Sequence, residues 1–160
     1  MDLVNAFEGT REALLREADA IPPELRTTPF VGHWNLMDLL AHLVGWDYTN
    51  IEAIEQLGAG LTPTFYSHYD PGWAAYNQQL IDRYGGDDWQ ALRDALVLSQ
   101  GAVVAKLRLL PATEMAREHR DPGRRRPMTV AGILRAAIRD EREHLVQVRA
   151  FGDSQRMGRG

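Results

Sequence analysis

The sequence predicts an all-α fold, a four-helix bundle with a long crossover loop and an additional short helix. Three observations carry this expectation. Four long segments repeat apolar residues at i, i+3 and i+4. Each begins at a side chain suited to capping a helix N-terminus and ends near glycine or proline. No stretch alternates apolar and polar residues for long enough to suggest a strand pair.

The first helix runs from about Leu3 to Ala20, with Leu3, Phe7, Leu14, Leu15 and Ala18 at helical spacing, Asp2 as its cap and Pro22-Pro23 as its stop. The second opens on Asn35, with Asp38 three residues later, and its apolar stripe runs to Leu57 before Gly58. The segment GAGLTPTFYSHY that follows has turn residues and no period, and is the expected crossover loop. Asp70-Pro71 reads as an N-cap with proline at the first helical position, followed by Trp73, Tyr76, Leu80, Ile81 and Tyr84. Gly85-Gly86 ends or interrupts this element, and Asp87 with Gln90 looks like a capping box restarting a helix toward Leu110 and Pro111. After the polar loop PATEMAREHRDPGRRRP, Thr129 caps a last helix whose stripe holds Val130, Ile133, Leu134, Ala137, His144, Leu145, Val148 and Phe151. The expected domain is residues 1–152, and 153–160 read as a flexible C-terminal tail, too polar and glycine-rich to pack.

Composition removes several function classes. A chain of 160 residues is the size of one domain and can bury a core unaided. It contains no cysteine, which excludes disulfides and thiolate ligands; any thiol chemistry must come from a bound small molecule. The N-terminal segment lacks a basic leader and an unbroken apolar run, and no window approaches the roughly 18 apolar residues of a membrane span. A cytoplasmic protein without membrane partners is expected. A net charge of −4 gives no reason to expect nucleic acid. The basic cluster Arg124 to Arg126 reads as a solvated turn or, alternatively, as a clamp for an anionic substrate.

Helical phase then selects polar residues for attention. His42 lies with Leu39, Leu43 and Trp46 inside the apolar stripe of the second helix, and Asp140 and His144 continue the Ile133–Ala137 stripe of the last. Two imidazoles and a carboxylate form a ligand set for a divalent metal with open positions. A carboxylate on the buried side needs a cation, which is the argument for placing Asp140 on a metal. The competing readings are a satisfied core histidine at 42 and an ion pair of Asp140 with Arg139, Arg142 or Arg11. Glu141 and Glu143 flank the stripe and are expected to face solvent or stand behind the ligands. The four tryptophans, Trp34, Trp46, Trp73 and Trp89, are expected in core and rim packing rather than in a ligand cage. His33, His68 and His119 fall in loops, His68 where it would border a pocket mouth.

The run Trp34-Asn35-Leu36-Met37-Asp38-Leu39-Leu40-Ala41-His42-Leu43-Val44-Gly45-Trp46-Asp47 is similar to the second-helix signature of the DinB-like superfamily. Thr129-Val130-Ala131 leading to Asp140-Glu141-Arg142-Glu143-His144 resembles that superfamily's final helix. The resemblance implies an up-down-down-up bundle and a divalent metal, zinc or nickel, on His42, Asp140 and His144. The commonest form of that site has three histidines. Here Asp140 takes the middle place, and the mycothiol-dependent maleylpyruvate isomerases look closer because they use a glutamate there. Tyr69 to Asn77 also resembles the ClbS/DfsB group, which includes protection against a genotoxic natural product.

The expected function is a metal-dependent enzyme of detoxification or small-molecule metabolism, a thiol-dependent transferase or isomerase or a hydrolase. Bound water or a low-molecular-weight thiol would be activated to attack an electrophilic small molecule. Asp38 would orient the His42 ring, and Glu143, or its neighbour Glu141, is the candidate general base. A bundle that binds or sequesters a small molecule without metal, with His42 and Asp140 joined in a hydrogen-bond network, is the alternative. A homodimer is left open.

Overall fold

The computed structural model describes residues 2–68 and 72–158. Within them the chain forms α1 (Leu3–Asp19), α2 (Leu36–Gly58), α3 (Trp73–Tyr84), α4 (Trp89–Arg108), α5 (Ala112–Ala116) and α6 (Val130–Met157), with short 3-10 turns at Pro23–Leu25 and Thr64–His68. No strand occurs among the described residues. The four long helices α1, α2, α4 and α6 make the bundle. Its most extensive pairings are α1 with α6 and α2 with α4, and α3 packs on the outside of α2.

The caps hold these helices where the sequence starts them. Asp2 accepts from the Val4 amide, Thr129 from Gly132, and Asn35 with Asp38 closes a full capping box. Three elements depart from expectation. The cap of α4 is Asp88, which accepts from Ala91 at 3.0 Å, and not Asp87; Gln90 bonds Asp94 instead. The polar loop after α4 contains the short helix α5 and closes on an antiparallel bridge between His119 and Met128. Helix α6 continues through Asp153 to Met157, so the start of the expected tail is helical, although its side chains are mostly exposed. The expected Asp70-Pro71 start of α3 lies outside the described residues.

Burial divides the interior into two apolar layers. One joins Leu14, Leu36, Leu40, Leu96, Val148 and Phe151; the other joins Phe7, Ile54, Leu57, Val103, Met128 and Leu134. Between them the bundle buries charge. Arg11 of α1 bonds Glu141 of α6 through Nε at 2.9 Å and Nη2 at 2.6 Å, and Asp47 of α2 through Nη1 at 3.0 Å and Nη2 at 3.1 Å. Its remaining proton goes to the Leu96 carbonyl of α4 at 3.4 Å, and Ser99 Oγ donates to Asp47 at 2.6 Å. All five guanidinium N–H groups are thereby satisfied. Burial works against the charge on Arg11, but Glu141 and Asp47 outweigh it and raise its pKa, so it stays cationic.

Candidate metal centre

His42 sits one and a half turns into α2 and is only 3% exposed, among the apolar side chains that its helical phase predicts. His144 comes from the middle of α6 and is also buried. Their Nε2 atoms each lie 3.6 Å from the same oxygen, Asp140 Oδ2. The donor atoms of the three residues all fall within 4.8 Å of one another. The structure thus brings together the three residues that the sequence selects from helices 98 positions apart.

Two details bear on what this group holds. Both ring nitrogens of His42 are buried without a hydrogen-bond partner among the described residues, a costly state unless something else satisfies them. The 3.6 Å separation from Asp140 is too long for a hydrogen bond. His144 differs: its Nδ1 lies 2.8 Å from Gln147 Oε1, so Nδ1–H donates there and Nε2 keeps a lone pair facing Asp140. This is the support that metal-ligating histidines usually receive, with the outer nitrogen tied down and the inner one free. Ligand atoms of a tetrahedral zinc lie roughly 3.4 Å apart, and the two 3.6 Å histidine–Asp140 distances need only a small contraction to reach it. The residues fit a divalent metal.

The electrostatics agree with a neutral His42 imidazole beside an ionised carboxylate. Burial lowers the pKa of His42, against the opposing pull of Asp140. Burial would raise Asp140, but His42, His144 and Arg139 outweigh it and hold the carboxyl below its usual range. Glu141 is raised, because burial exceeds what Arg11 restores.

Several expectations about this neighbourhood need correction. The Asp140 side chain is 49% exposed at the rim of a cavity and only partly buried, so its place beside the histidines does not follow from a fully buried charge seeking a cation. Arg11 pairs with Glu141 and Asp47, not with Asp140. Glu141, expected near solvent, is 2% exposed and belongs to the charged network between the apolar layers. Glu143, the candidate base, is exposed in a groove on the outer face with Arg135, Arg142 and Val146, because its place on the turn of α6 carries it away from Asp140. Asp38 spends its carboxylate on the Asn35 amide in the capping box and does not orient His42.

The centre opens into a cavity of about 460 Å³, within the range of about 300–1,000 Å³ that small-molecule sites occupy. Its floor is the Arg11–Asp47–Glu141 network and its wall is aromatic. Trp46 lies 5.4 Å from Trp73 and 5.8 Å from Phe65 between ring centres, and Phe65 lies 6.0 Å from Trp73. Trp46 and Trp73 therefore line a cavity rather than serving only as packing. Three contacts fix this wall: Trp46 Nε1–H donates to Asn77 at 2.9 Å, Tyr76 and Thr49 share a hydroxyl hydrogen bond of 2.7 Å, and Gly45 lets α3 come close. A Cβ at Gly45 would stand 2.6 Å from Leu80 Cβ. Trp34 covers the histidines from the other side, 4.9 Å from the His42 ring and 6.5 Å from His144. It is placed by a tight turn in which Gly32 takes φ of +60°, a conformation glycine adopts without strain.

Of the basic cluster, Arg124 reaches the cavity, its guanidinium 3.6 Å from the Tyr66 ring centre, while Arg125 and Arg126 are exposed. His68 stacks on Tyr76, and Trp89 packs beneath Arg26. Sequence reasoning missed Asp47 and underrated Arg11. The signal was present, since Arg11 shares a helix face with Phe7, Leu14 and Leu15, and Asp47 follows Leu43 by one turn.

The DinB superfamily matches this chain over residues 6–148. The chain belongs to the DinB superfamily. Solved structures agree on the fold. A protein from Streptococcus pneumoniae superimposes with a TM-score of 0.78 at 19% identity, covering 93% of this chain and 87% of its own. An uncharacterised protein from Clostridium difficile 630 gives 0.76 at 18%, covering 93% and 92%. One from Escherichia coli UTI89 gives 0.78 at 16%, covering 96% and 92%. No protein of curated function shows significant similarity to the chain. No helix among the described residues is long and apolar enough to cross a membrane.

Proposed function

We propose that this DinB superfamily member binds a divalent metal, zinc or nickel, on His42, Asp140 and His144 and uses it to act on a small electrophilic molecule held in the aromatic cavity. The observation that carries this reading is His42: a buried imidazole with no partner for either nitrogen among the described residues, its Nε2 turned toward the same carboxylate oxygen that faces His144. When bound, the metal supplies a Lewis acid that brings a water or a low-molecular-weight thiol near neutral pKa. The chain's own side chains do the rest. Gln147 holds the His144 ring so that Nε2 points inward. Trp34 shields the imidazoles from water, and Trp46, Phe65 and Trp73 offer an apolar face to a substrate. The acids that line the cavity are Asp140, at the metal group, and Asp47 and Glu141, both held by Arg11.

The metal-free binding bundle gains no support from the distances, since the His42–Asp140 hydrogen bond it calls for is not made. The test is metal content. Untagged protein dialysed against trace zinc or nickel is expected to retain close to one equivalent and to lose it in His42→Ala with the helical circular dichroism unchanged. Absence of uptake by the wild-type chain, even after soaking with metal, would rule the reading out.

A further inference from the structure

We infer that the cavity is built for a planar aromatic acid, its ring against Trp46, Phe65 and Trp73 and its acid group at the metal group beside Arg139. This rests on the proposed metal centre and goes further, because it names the chemical class of the ligand. Three aromatic rings in mutual contact form part of the cavity wall, and aromatic faces select flat π systems over saturated bodies of equal size. The metal group adjoins them, with the Trp46 ring 6.4 Å from that of His42, and Asp140 and the exposed Arg139 lie on the same lining.

The sign of charge follows from these groups. Asp140 cancels only half of a divalent cation, and the floor network, one guanidinium against the two carboxylates of Asp47 and Glu141, takes up the rest, so the positive sign at the rim comes from Arg139. Arg139 lies near enough to Asp140 to help keep it ionised, and forms no ion pair among the described residues. Arg124 adds a second guanidinium to the wall. A metal-loaded site with this lining favours an anion beside Arg139. A neutral aromatic would leave Arg139 unused, and an aliphatic acid would leave the rings unused.

Calorimetric titration with three probes separates these cases: 2-naphthoate, 2-naphthamide and trans-decalin-2-carboxylate. Zinc-loaded protein is expected to bind naphthoate about tenfold more tightly than the amide and about fivefold more tightly than the decalin acid. Arg139→Gln should weaken naphthoate about fivefold and leave the amide unchanged. Trp73→Leu should remove the preference for naphthoate over the decalin acid. Equal affinity for naphthoate and the amide, or no binding of naphthoate by protein shown to carry zinc, overturns the inference and leaves the metal reading standing. If zinc itself does not bind, the metal reading falls. The metal-free chain then decides the present one, which is sunk if Arg139→Gln leaves naphthoate affinity unaltered.

Discussion

Gln147 shows how much of a site can rest on a side chain that touches no ligand. It accepts from His144 Nδ1 at 2.8 Å and so fixes which nitrogen faces Asp140. Removing such an outer partner typically costs metal affinity by about 10–100-fold. Gln147→Leu is therefore expected to weaken zinc binding by about tenfold or more. Its thermal midpoint without metal should stay close to wild type, since Gln147 is only half-buried. Competition with a chelating dye measures the first and a melting curve the second; unchanged zinc affinity would show that the His144 ring needs no such support. His42 stands in contrast, for it has no outer partner among the described residues. Its orientation comes from packing against Trp34 and Trp46.

Among the elements, α3 depends on the closest helix approach near the site. Gly45 faces Leu80 so tightly that an added methyl group would collide with it, and overpacking of this kind costs about 1–3 kcal/mol. Gly45→Ala is expected to lose stability in that range in urea unfolding and to disturb the tryptophan emission of the Trp46–Trp73 pair. A wild-type midpoint would mean that α3 shifts freely. Most elements were legible in the sequence because their signals are local: Asp2, Asn35 and Thr129 cap where they stand, and His42, Asp140 and His144 share the faces that helical phase assigns. What escaped was set by partners far along the chain. Glu141 turns inward because Arg11, 130 residues earlier, meets it there. Glu143 lost its candidacy through the same rotation of α6. Trp46 and Trp73 became a cavity wall only once α3 settled on α2. The α4 cap moved by one residue because Asp87 and Asp88 offer the same chemistry to neighbouring amides.

For the whole molecule, the Arg11 network ties all four long helices to one guanidinium. Removing its cation alone would leave two carboxylates buried without compensation, and breaking a buried pair in this way costs about 3–5 kcal/mol. Arg11→Met is expected to fall in that range in chemical denaturation. The combined Arg11→Met, Asp47→Leu, Glu141→Leu variant should recover most of the loss, since an apolar replacement of the entire group is often neutral or stabilising. Failure of the triple variant to recover would mean that the network's hydrogen bonds, and not the balance of buried charge, hold the bundle.

The same atoms that join the helices also form the cavity floor. An inactive Glu141 variant would therefore say little about chemistry, because the side chain that faces a ligand also keeps α6 seated on α1. Trp46, Phe65, Trp73 and Arg139 stand outside that arrangement. Change in ligand preference is free to accumulate in the wall while the floor stays fixed, so a family sharing this frame can diverge in what it recognises without diverging in how it folds.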